Sequence, residues 1–333
     1  MKNFKNDLLT RIRKAVKLRQ AKNILDNRNH MYLVFGESDE IPGLFIKYFD
    51  GEILIEFYMD FWKQYQDFIT QNTVKIINEV LKKDISASNI WIQYRSNALS
   101  LATCKDPNAT FRRVDISEYG VNYKVLIGKH YDCGIYTDMA AIRYKLRHEI
   151  SKSESLLNLY SYTGAFSLYA LKLGVKSVTS VDLSEAYLDW LDENIALNDD
   201  IDKERHTRLN IATNEALSSF ANKNTTFNFI ISDPPSSSSD GNKRSNALAD
   251  YAQTLPKMDK VLSEHGSMLL FLNTHKCTHE KFKNKIKSII QKNNLNLKLQ
   301  TTYFLNEDCP SKKGFPEGSY LKGLLLKRND KSK

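Results

Sequence analysis

The sequence predicts a doubly wound α/β chain: a mostly parallel sheet ending in an antiparallel terminal strand pair, preceded by a small α/β domain. Three observations predict it. From residue 155 onward, short apolar runs rich in β-branched residues alternate with helix-length segments, the pattern of a parallel sheet covered by helices. Three of these runs end abruptly in polar, glycine or proline residues: Asn158-Leu-Tyr-Ser-Tyr-Thr-Gly164, Val181-Asp182 and Asp233-Pro234-Pro235. Upstream, three apolar runs within residues 31–58 surround Gly43 and Asp50-Gly51, and Asp-Gly between such runs is a strong hairpin signal.

In chain order, residues 1–29 carry nine Lys or Arg against two Asp, a net of +7. Leu8, Leu9, Ile12, Val16, Leu18, Ala21 and Ile24 recur at near-helical spacing, predicting an amphipathic helix with a basic outer face. That face reads equally as a polyanion contact and as a solvated surface of a helix packed on the next domain. Residues 30–115 form the small α/β domain, with the hairpin strands, a helix over Trp62 to Leu81 and a strand over Asn89 to Gln93. Tyr119 to Gly128 reads as a further strand pair, and the boundary is placed near residue 115. Residues 116–330 hold the doubly wound domain. Its strands are Leu156–Leu159, Ser177–Val181, Arg208–Ala212, Phe227–Ile231 and Ser267–Leu272, followed by the antiparallel pair Leu297–Phe304 and Tyr320–Lys327. Ser236 to Ser239 is predicted to be a mobile loop, and the tail Lys327 to Lys333 is predicted to be disordered.

The three strand ends carry the chemistry. Gly164 tolerates positive φ and close approach, and the helix beginning at Ala165 offers unpaired N–H groups and a positive dipole end to an anion. A dinucleotide pyrophosphate requires two or three glycines, and G-x-G-x-x-G is absent. One glycine suits a smaller anion such as the methionine carboxylate of S-adenosylmethionine. Asp182, 18 residues after Gly164, is placed to accept both ribose hydroxyls; alternatively it only caps the helix from Glu185, for which Ser184 is also a good N-cap. Asp233-Pro234-Pro235 makes a stiff turn with fixed φ and two donors removed, suited to holding an acceptor beside a transferring methyl.

Composition bounds the rest. A 41% hydrophobic content over 333 residues supports a sizeable core, and no apolar run approaches the ~20 residues of a membrane span. The first residues lack the apolar stretch of a signal peptide, so a cytoplasmic location is expected. Cys104, Cys133, Cys277 and Cys309 form no C-x-x-C pair, so no metal is expected. The net charge of +9 fits a polyanionic partner.

At these residues the chain resembles the class I S-adenosylmethionine-dependent methyltransferases of large-subunit rRNA, in their cytosine-C5 and guanine-N7 branch. The resemblance extends from about residue 10 to about residue 328. Phe35-Gly-Glu-Ser-Asp-Glu-Ile-Pro-Gly43 is similar to that family's Gly-Glu-Ser-Asp-Gly-Leu-Pro-Gly signature. Asp132-Cys-Gly-Ile-Tyr-Thr-Asp138 with Arg143 resembles its Thr-Gly-Phe-Phe-Leu-Asp-Gln-Arg segment, and Phe315 to Gly323 resembles its Pro-Glu-Gly-x-Tyr-Leu-Lys-Gly hairpin. Tyr187-Leu-Asp-Trp190 and Asn194 resemble the guanine-N7 branch in particular. The resemblance implies a Rossmann-like methyltransferase fold using S-adenosylmethionine. It implies that Tyr162, Thr163 and Gly164 line the methionine end, with Tyr160, Ser161 and Leu183 also among the cofactor-binding residues. Asp182 would hold the ribose and Asn214 would lie near the adenine. Tyr136 and Asp138 would close the pocket, and Asp233, Pro234 and Pro235 would border the reaction centre.

The chain departs from that pattern at several points. Asn214 stands for an acidic residue, Met139-Ala140 for Gln/His-Arg, and Ser236 to Ser239 follow the Asp-Pro-Pro where an aromatic is usual. The cytosine branch begins with a small RNA-binding domain of the pseudouridine-synthase-associated (PUA) type, for which there is no room before residue 10. RNA contact is therefore expected from the basic helix and the small domain. That branch also uses a catalytic cysteine, and Cys277 lies about four residues past its position. Ring-nitrogen methylation, at guanine N7, is expected over cytosine C5. The alternatives are a catalytically impaired RNA-binding or ribosome-assembly factor, and a methyltransferase with a non-RNA substrate.

Overall fold

A computed structural model describes residues 2–96, 100–104, 109–235, 237–240, 243–305, 307–312, 315 and 318–329. It divides into two compact units, Met1–Ala141 with Leu305–Gly318, and Ile142–Phe304 with Ser319–Lys333.

In the first unit, helix α1 (Lys2–Gln20) precedes strands β1 (His30–Phe35), β2 (Leu44–Phe49) and β3 (Glu52–Phe57), helix α2 (Gln66–Leu81), and strands β4 (Ile90–Tyr94) and β5 (Thr103–Cys104). The strands form one sheet in the order β1-β2-β3-β4-β5, with β3 and β4 parallel and the other neighbours antiparallel. The turn between β2 and β3 is the expected Asp50-Gly51, both at positive φ (41° and 101°). Leu8, Ile12 and Val16 of α1 join Ile69, Ile76 and Ile77 of α2 in one apolar core with Leu33, Ile46, Ile55 and Ile90 of the sheet. Of the stripe that predicts the helix, Leu8, Ile12 and Val16 form its buried face, whereas Leu18 is exposed and Ala21 and Ile24 lie beyond its end at Gln20. The predicted helix over Trp62 to Leu81 begins later, because Asp60–Tyr65 winds as a 3-10 segment that turns Trp62 inward, its indole N–H donating to the Pro42 carbonyl at 2.8 Å.

The basic N-terminal segment is less outward-facing than its charge implies. Arg19 is fully buried and forms a bidentate pair with Asp39, both bonds 2.7 Å. Arg28 is buried against Asp308 at 2.7 Å. Arg11 pairs with Asp7 at 2.8 Å, and Arg13 with Glu79.

The first unit extends past the expected boundary near 115. Strands β6 (Arg112–Glu118) and β7 (Val121–Ile127) form an antiparallel hairpin around Tyr119-Gly120, so Tyr119 to Gly128 contributes one strand rather than a pair. Asn29 N–H donates to the Ser117 carbonyl at 3.1 Å, and Tyr119 N–H to the Asn27 carbonyl at 2.8 Å. His30 Nε2 lies 3.1 Å from buried Glu118, and its Nδ1 3.2 Å from the Thr137 hydroxyl. Asp308 accepts from the Tyr32 amide as well as from Arg28, which ties residues 305–318 to this unit. These pairings join residues far apart in sequence, so local composition carries no signal of them.

In the second unit, α3 (Ala140–Lys145, within which the division falls) and α4 (Arg147–Ile150) lead into β8 (Ser155–Leu159). There follow α5 (Ala165–Lys172), β9 (Ser177–Val181), α6 (Glu185–Ala196), β10 (His206–Leu209), α7 (Thr213–Asn222) and β11 (Phe227–Ser232). A short antiparallel pair, β12 (Ser237–Asp240) with β13 (Lys243–Asn246), occupies the stretch the sequence reads as a loop. Then come α8 (Ala247–Lys260), β14 (Leu262–Asn273), α9 (His279–Lys292), β15 (Leu297–Tyr303) and β16 (Leu321–Arg328). The sheet order is β10-β9-β8-β11-β14-β16-β15. The first five strands are parallel, and β16 and β15 each pair antiparallel, giving the mixed sheet the sequence predicts. Strand order reverses direction between β8 and β11, the switch point where open α/β sheets bind ligands. Ser236, Pro316 and Glu317 of the quoted motifs, and residues 330–333 of the tail, lie outside the described residues.

Candidate active site

Sheet register assembles the three motifs. Leu159 of β8 is paired with Val181 of β9 on one side and with Ser232 of β11 on the other. The next residue of each strand is therefore Tyr160, Asp182 and Asp233, side by side at the carboxyl edge of the switch point. Val181 is also paired with Leu209, which brings Asn210 to the same edge.

The turn from β8 to α5 is strained. Tyr160 and Tyr162 hold φ of 57° and 50°, in the left-handed region that costs most non-glycine residues, and Gly164 holds 82°. Several bonds impose this shape. Ser161 N–H donates to the Val181 carbonyl at 3.0 Å, and Gly164 N–H to the Ser161 carbonyl at 2.9 Å. Tyr162 N–H donates to Asp182 Oδ2 at 2.9 Å. Buried Asn194 of α6 donates to the Thr163 carbonyl at 2.9 Å, and the rings of Tyr162 and Tyr187 meet edge-on at 4.6 Å. Gly164 is required here for packing as well as for φ: a Cβ on it would lie 2.3 Å from Leu191 Cγ. The sequence reading assigns its small size to ligand clearance; on the protein side the close neighbour is helix α6.

Asp182 has two structural partners. Oδ2 accepts from Tyr162 as above, and Oδ1 accepts from the Ser184 amide at 2.9 Å. Ser184 caps α6, its hydroxyl accepting from Tyr187 N–H at 3.3 Å. An ionised carboxylate has about four lone-pair sites, so two remain for ribose hydroxyls. Both proposed roles of Asp182 are thus compatible. Asn210 donates to the carbonyls of Asp182 and Leu183 at 3.2 and 2.9 Å, fixing the chain there from β10. Leu183 is exposed.

Behind the turn runs a buried polar chain: Asn158 Nδ2 to Ser167 Oγ (2.9 Å), Ser167 to Ser180 (2.7 Å), and Ser180 to His206 Nε2 (2.8 Å). Burial, then nearby Arg208, depresses the His206 pKa to about 4, so the imidazole is neutral at neutral pH. The chain cross-links β8, α5, β9 and β10 directly beneath the turn.

Asp233 follows a strand end held by Tyr251 of α8. The buried Tyr251 hydroxyl lies 2.7 Å from the Phe271 carbonyl and 3.0 Å from that of Ser232, and donates between them. Burial raises the pKa of this phenol well above the usual value, so it remains a donor. Tyr251→Phe should lower methyl transfer by roughly tenfold while cofactor affinity stays within about threefold; it removes the one donor that two carbonyls share, at a cost of ~1–3 kcal/mol. Steady-state kinetics with calorimetry would check this, and unchanged kcat would remove Tyr251 from the positioning of Asp233.

The remaining expected residues fall as follows. Asn214 sits exposed on the first turn of α7, and its Oδ1 accepts from Lys257 Nζ at 2.9 Å. Tyr136 and Asp138 lie in the first unit, Tyr136 exposed and Asp138 buried, and their part in a pocket rests on the resemblance. Met139 and Ala140 are buried. Asn210 and Tyr251 were missed in the sequence; a polar residue just past β10 is a faint signal for the first, and nothing local marks the second.

The edge fits S-adenosylmethionine. Ser161 Oγ is buried in the turn without a hydrogen-bond partner, and Gly164 gives the N-terminus of α5 no side-chain cap, so the positive end of the helix faces the same turn. A mixed sheet with this site at its switch point defines a class I nucleoside-cofactor transferase.

Comparison with known proteins agrees. Residues 86–285 match the family model described as S-adenosylmethionine-dependent methyltransferase, and the chain belongs to that family. It is 28% identical over 324 residues to Bacillus subtilis YwbD, provisionally named a ribosomal RNA large subunit methyltransferase, covering 96% of this chain and 80% of that one. It is 26% identical over 322 residues to ribosomal RNA large subunit methyltransferase I of Alteromonas mediterranea, covering 97% and 80%. The solved structure of SMU.776, complexed with S-adenosylhomocysteine, shares the fold with a TM-score of 0.83 and 22% identity over 96% of this chain and 81% of that one. The protein is an S-adenosylmethionine-dependent methyltransferase.

Proposed function

We propose that the protein methylates a base of large-subunit ribosomal RNA at a ring nitrogen, guanine N7, rather than at cytosine C5. The names and near-complete coverage of the relatives support the RNA substrate, as does the net charge of +9.

The observation that carries the choice of atom is the burial of Cys277. Cytosine C5 becomes nucleophilic only after a thiolate adds at C6, so its enzyme needs an accessible cysteine. Cys277 is 6% exposed, lies in one apolar cluster with Phe282 and Ile286, and points its thiol at the Thr278 carbonyl at 3.5 Å. The other cysteines belong to the first unit, where burial raises the thiols of Cys133 and Cys309. Guanine N7 needs no covalent help. Its lone pair attacks the sulfonium methyl, the carbon–sulfur bond breaks toward sulfur, and S-adenosylhomocysteine leaves. Positive charge passes to the purine ring, no proton is removed, and no general base is required.

In this reading the β8–α5 turn and the N-terminus of α5 face the methionine carboxylate, and Asp182 receives the ribose. Asp233, held by Tyr251, faces the charge developing on the base, while Pro234 and Pro235 keep its turn rigid. The target base must be splayed from its stack to reach the edge. Rate enhancement then comes from alignment of lone pair and methyl.

Cys277→Ser should retain activity within about threefold; an inactive but folded variant would restore covalent C5 chemistry. The direct test is mass spectrometry of nucleosides from large-subunit RNA treated with the protein and S-adenosylmethionine. It should give 7-methylguanosine. 5-Methylcytidine would overturn the choice of atom, and no methylated nucleoside, from naked RNA or from ribosomal particles, would overturn the substrate class.

A further inference from the structure

In the basic N-terminal segment Arg19 and Arg28 are buried against Asp39 and Asp308, and Arg11 and Arg13 pair with Asp7 and Glu79 at the surface, while Lys14 and Lys17 are exposed. A second basic surface on that unit is arranged differently. On the β6–β7 hairpin, Asp115 is paired with Lys124 and Arg113 with Leu126, so the four share one face, on which Arg113 and Asp115 are exposed and Lys124 and Leu126 are buried. Beyond β7 the chain turns at Gly128 and folds back, with Leu126 N–H donating to the Cys133 carbonyl at 3.0 Å. The Gln93 side chain donates to the Tyr131 carbonyl at 3.0 Å. Gly128 sits at φ 87°, and a Cβ there would lie 2.8 Å from the Ala102 carbonyl oxygen and 2.9 Å from the Trp91 ring. The turn presenting Lys129, His130 and Tyr131 is therefore firmly seated.

Two exposed aromatics flank these cations. Phe111 is 45% exposed, with Lys129 Nζ 5.5 Å from its ring centre; Tyr131 is 36% exposed, with the Arg95 guanidinium 4.0 Å from its ring centre. The nearby acids are engaged: Asp115 with Arg113 (2.9 Å), Asp132 with Arg95 (3.1 Å) and Glu52 with Arg112 (3.3 Å). The cations also act on one another. The Lys124 pKa is held below its usual value by burial, then by Arg113 and Lys129, and that of His130 by burial, then by Lys129 and Lys124. An approaching phosphate would relieve that repulsion.

We propose that this hairpin face is a docking surface for single-stranded RNA, with Arg113 and Lys129 meeting phosphates and Phe111 and Tyr131 stacking on bases. Basic side chains interleaved with accessible aromatic faces are what sequence-tolerant single-strand binders use. The proposal rests on the reading above that the substrate is RNA, and it adds the hairpin to the basic N-terminal segment as an RNA footprint.

The test is fluorescence anisotropy of a short labelled oligouridine with the full-length protein, titrated at several salt concentrations. Phe111→Ala and Tyr131→Ala should each weaken binding by roughly five- to a hundredfold. Arg113→Gln with Lys129→Gln should flatten the slope of log affinity against log salt by about 1.4, at ~0.7 per phosphate contact. Affinity for S-adenosylhomocysteine and the melting temperature should be unchanged. Phe111→Leu, which keeps apolar bulk without an aromatic face, replaces the alanine variant if that one melts early. Wild-type binding that these variants leave intact would overturn the hairpin surface and spare the RNA reading. No wild-type binding even at low salt would overturn both.

Discussion

Asp182→Ala is expected to lower affinity for S-adenosylmethionine by at least about 100-fold. The carboxylate accepts from Tyr162 N–H and Ser184 N–H, both at 2.9 Å. Each hydrogen bond to a charged group is worth roughly 1.5–3 kcal/mol, and about 1.4 kcal/mol corresponds to tenfold in affinity. The loss falls on binding because the substitution releases a turn whose tyrosines hold positive φ only while it is braced, and removes the ribose acceptor as well. Asp182→Asn is the more informative variant. It keeps the shape but offers one acceptor oxygen, so one of the two amides meets an NH2 group instead. Calorimetry with S-adenosylhomocysteine measures both, and near-wild-type affinity for Asp182→Ala would refute the ribose role.

Gly164→Ala should be the most damaging single-methyl change in the second unit. The residue sits at φ 82°, where a side chain costs of the order of 1–3 kcal/mol, and the new methyl would lie 2.3 Å from Leu191 Cγ. Relieving that clash means displacing α6, at roughly another 1–3 kcal/mol. The same displacement pulls Asn194 from the Thr163 carbonyl. A lower melting temperature together with weaker cofactor binding is expected. If Leu191→Ala added to Gly164→Ala restored binding, the clash rather than the backbone angle would be the main defect; a stable, fully binding single variant would contradict both.

The parts of the fold read correctly from sequence are those in which information is local. A parallel strand announces its own end, so Gly164, Asp182 and Asp233 could be placed at strand ends, and an alternating β/α order then implies a shared edge. Register made this concrete through the pairing of Leu159 with Val181 and Ser232. Features depending on distant partners were not legible. Arg19 and Arg28 read as surface charge because their acids, Asp39 and Asp308, lie 20 and 280 residues away. The β6–β7 hairpin was assigned across a boundary because its attachment to Asn27, Asn29 and His30 is tertiary. Tyr251 gave no sign of its role, since a tyrosine on the buried face of a helix looks like any core aromatic until its hydroxyl is seen to join two strands. Asn214 is exposed at the start of α7, and its bond to Lys257, 43 residues away, was likewise not legible.

Methyl transfer to a base of ribosomal RNA is directly measurable. Its most direct test is incubation of the purified protein and tritiated S-adenosylmethionine with large-subunit RNA, naked or as particles, from cells lacking the gene and from their parent. Label is expected in the RNA of the deletion strain and little in that of the parent, whose site is already methylated. Equal label in both, or none in either form of the deletion RNA, would contradict it.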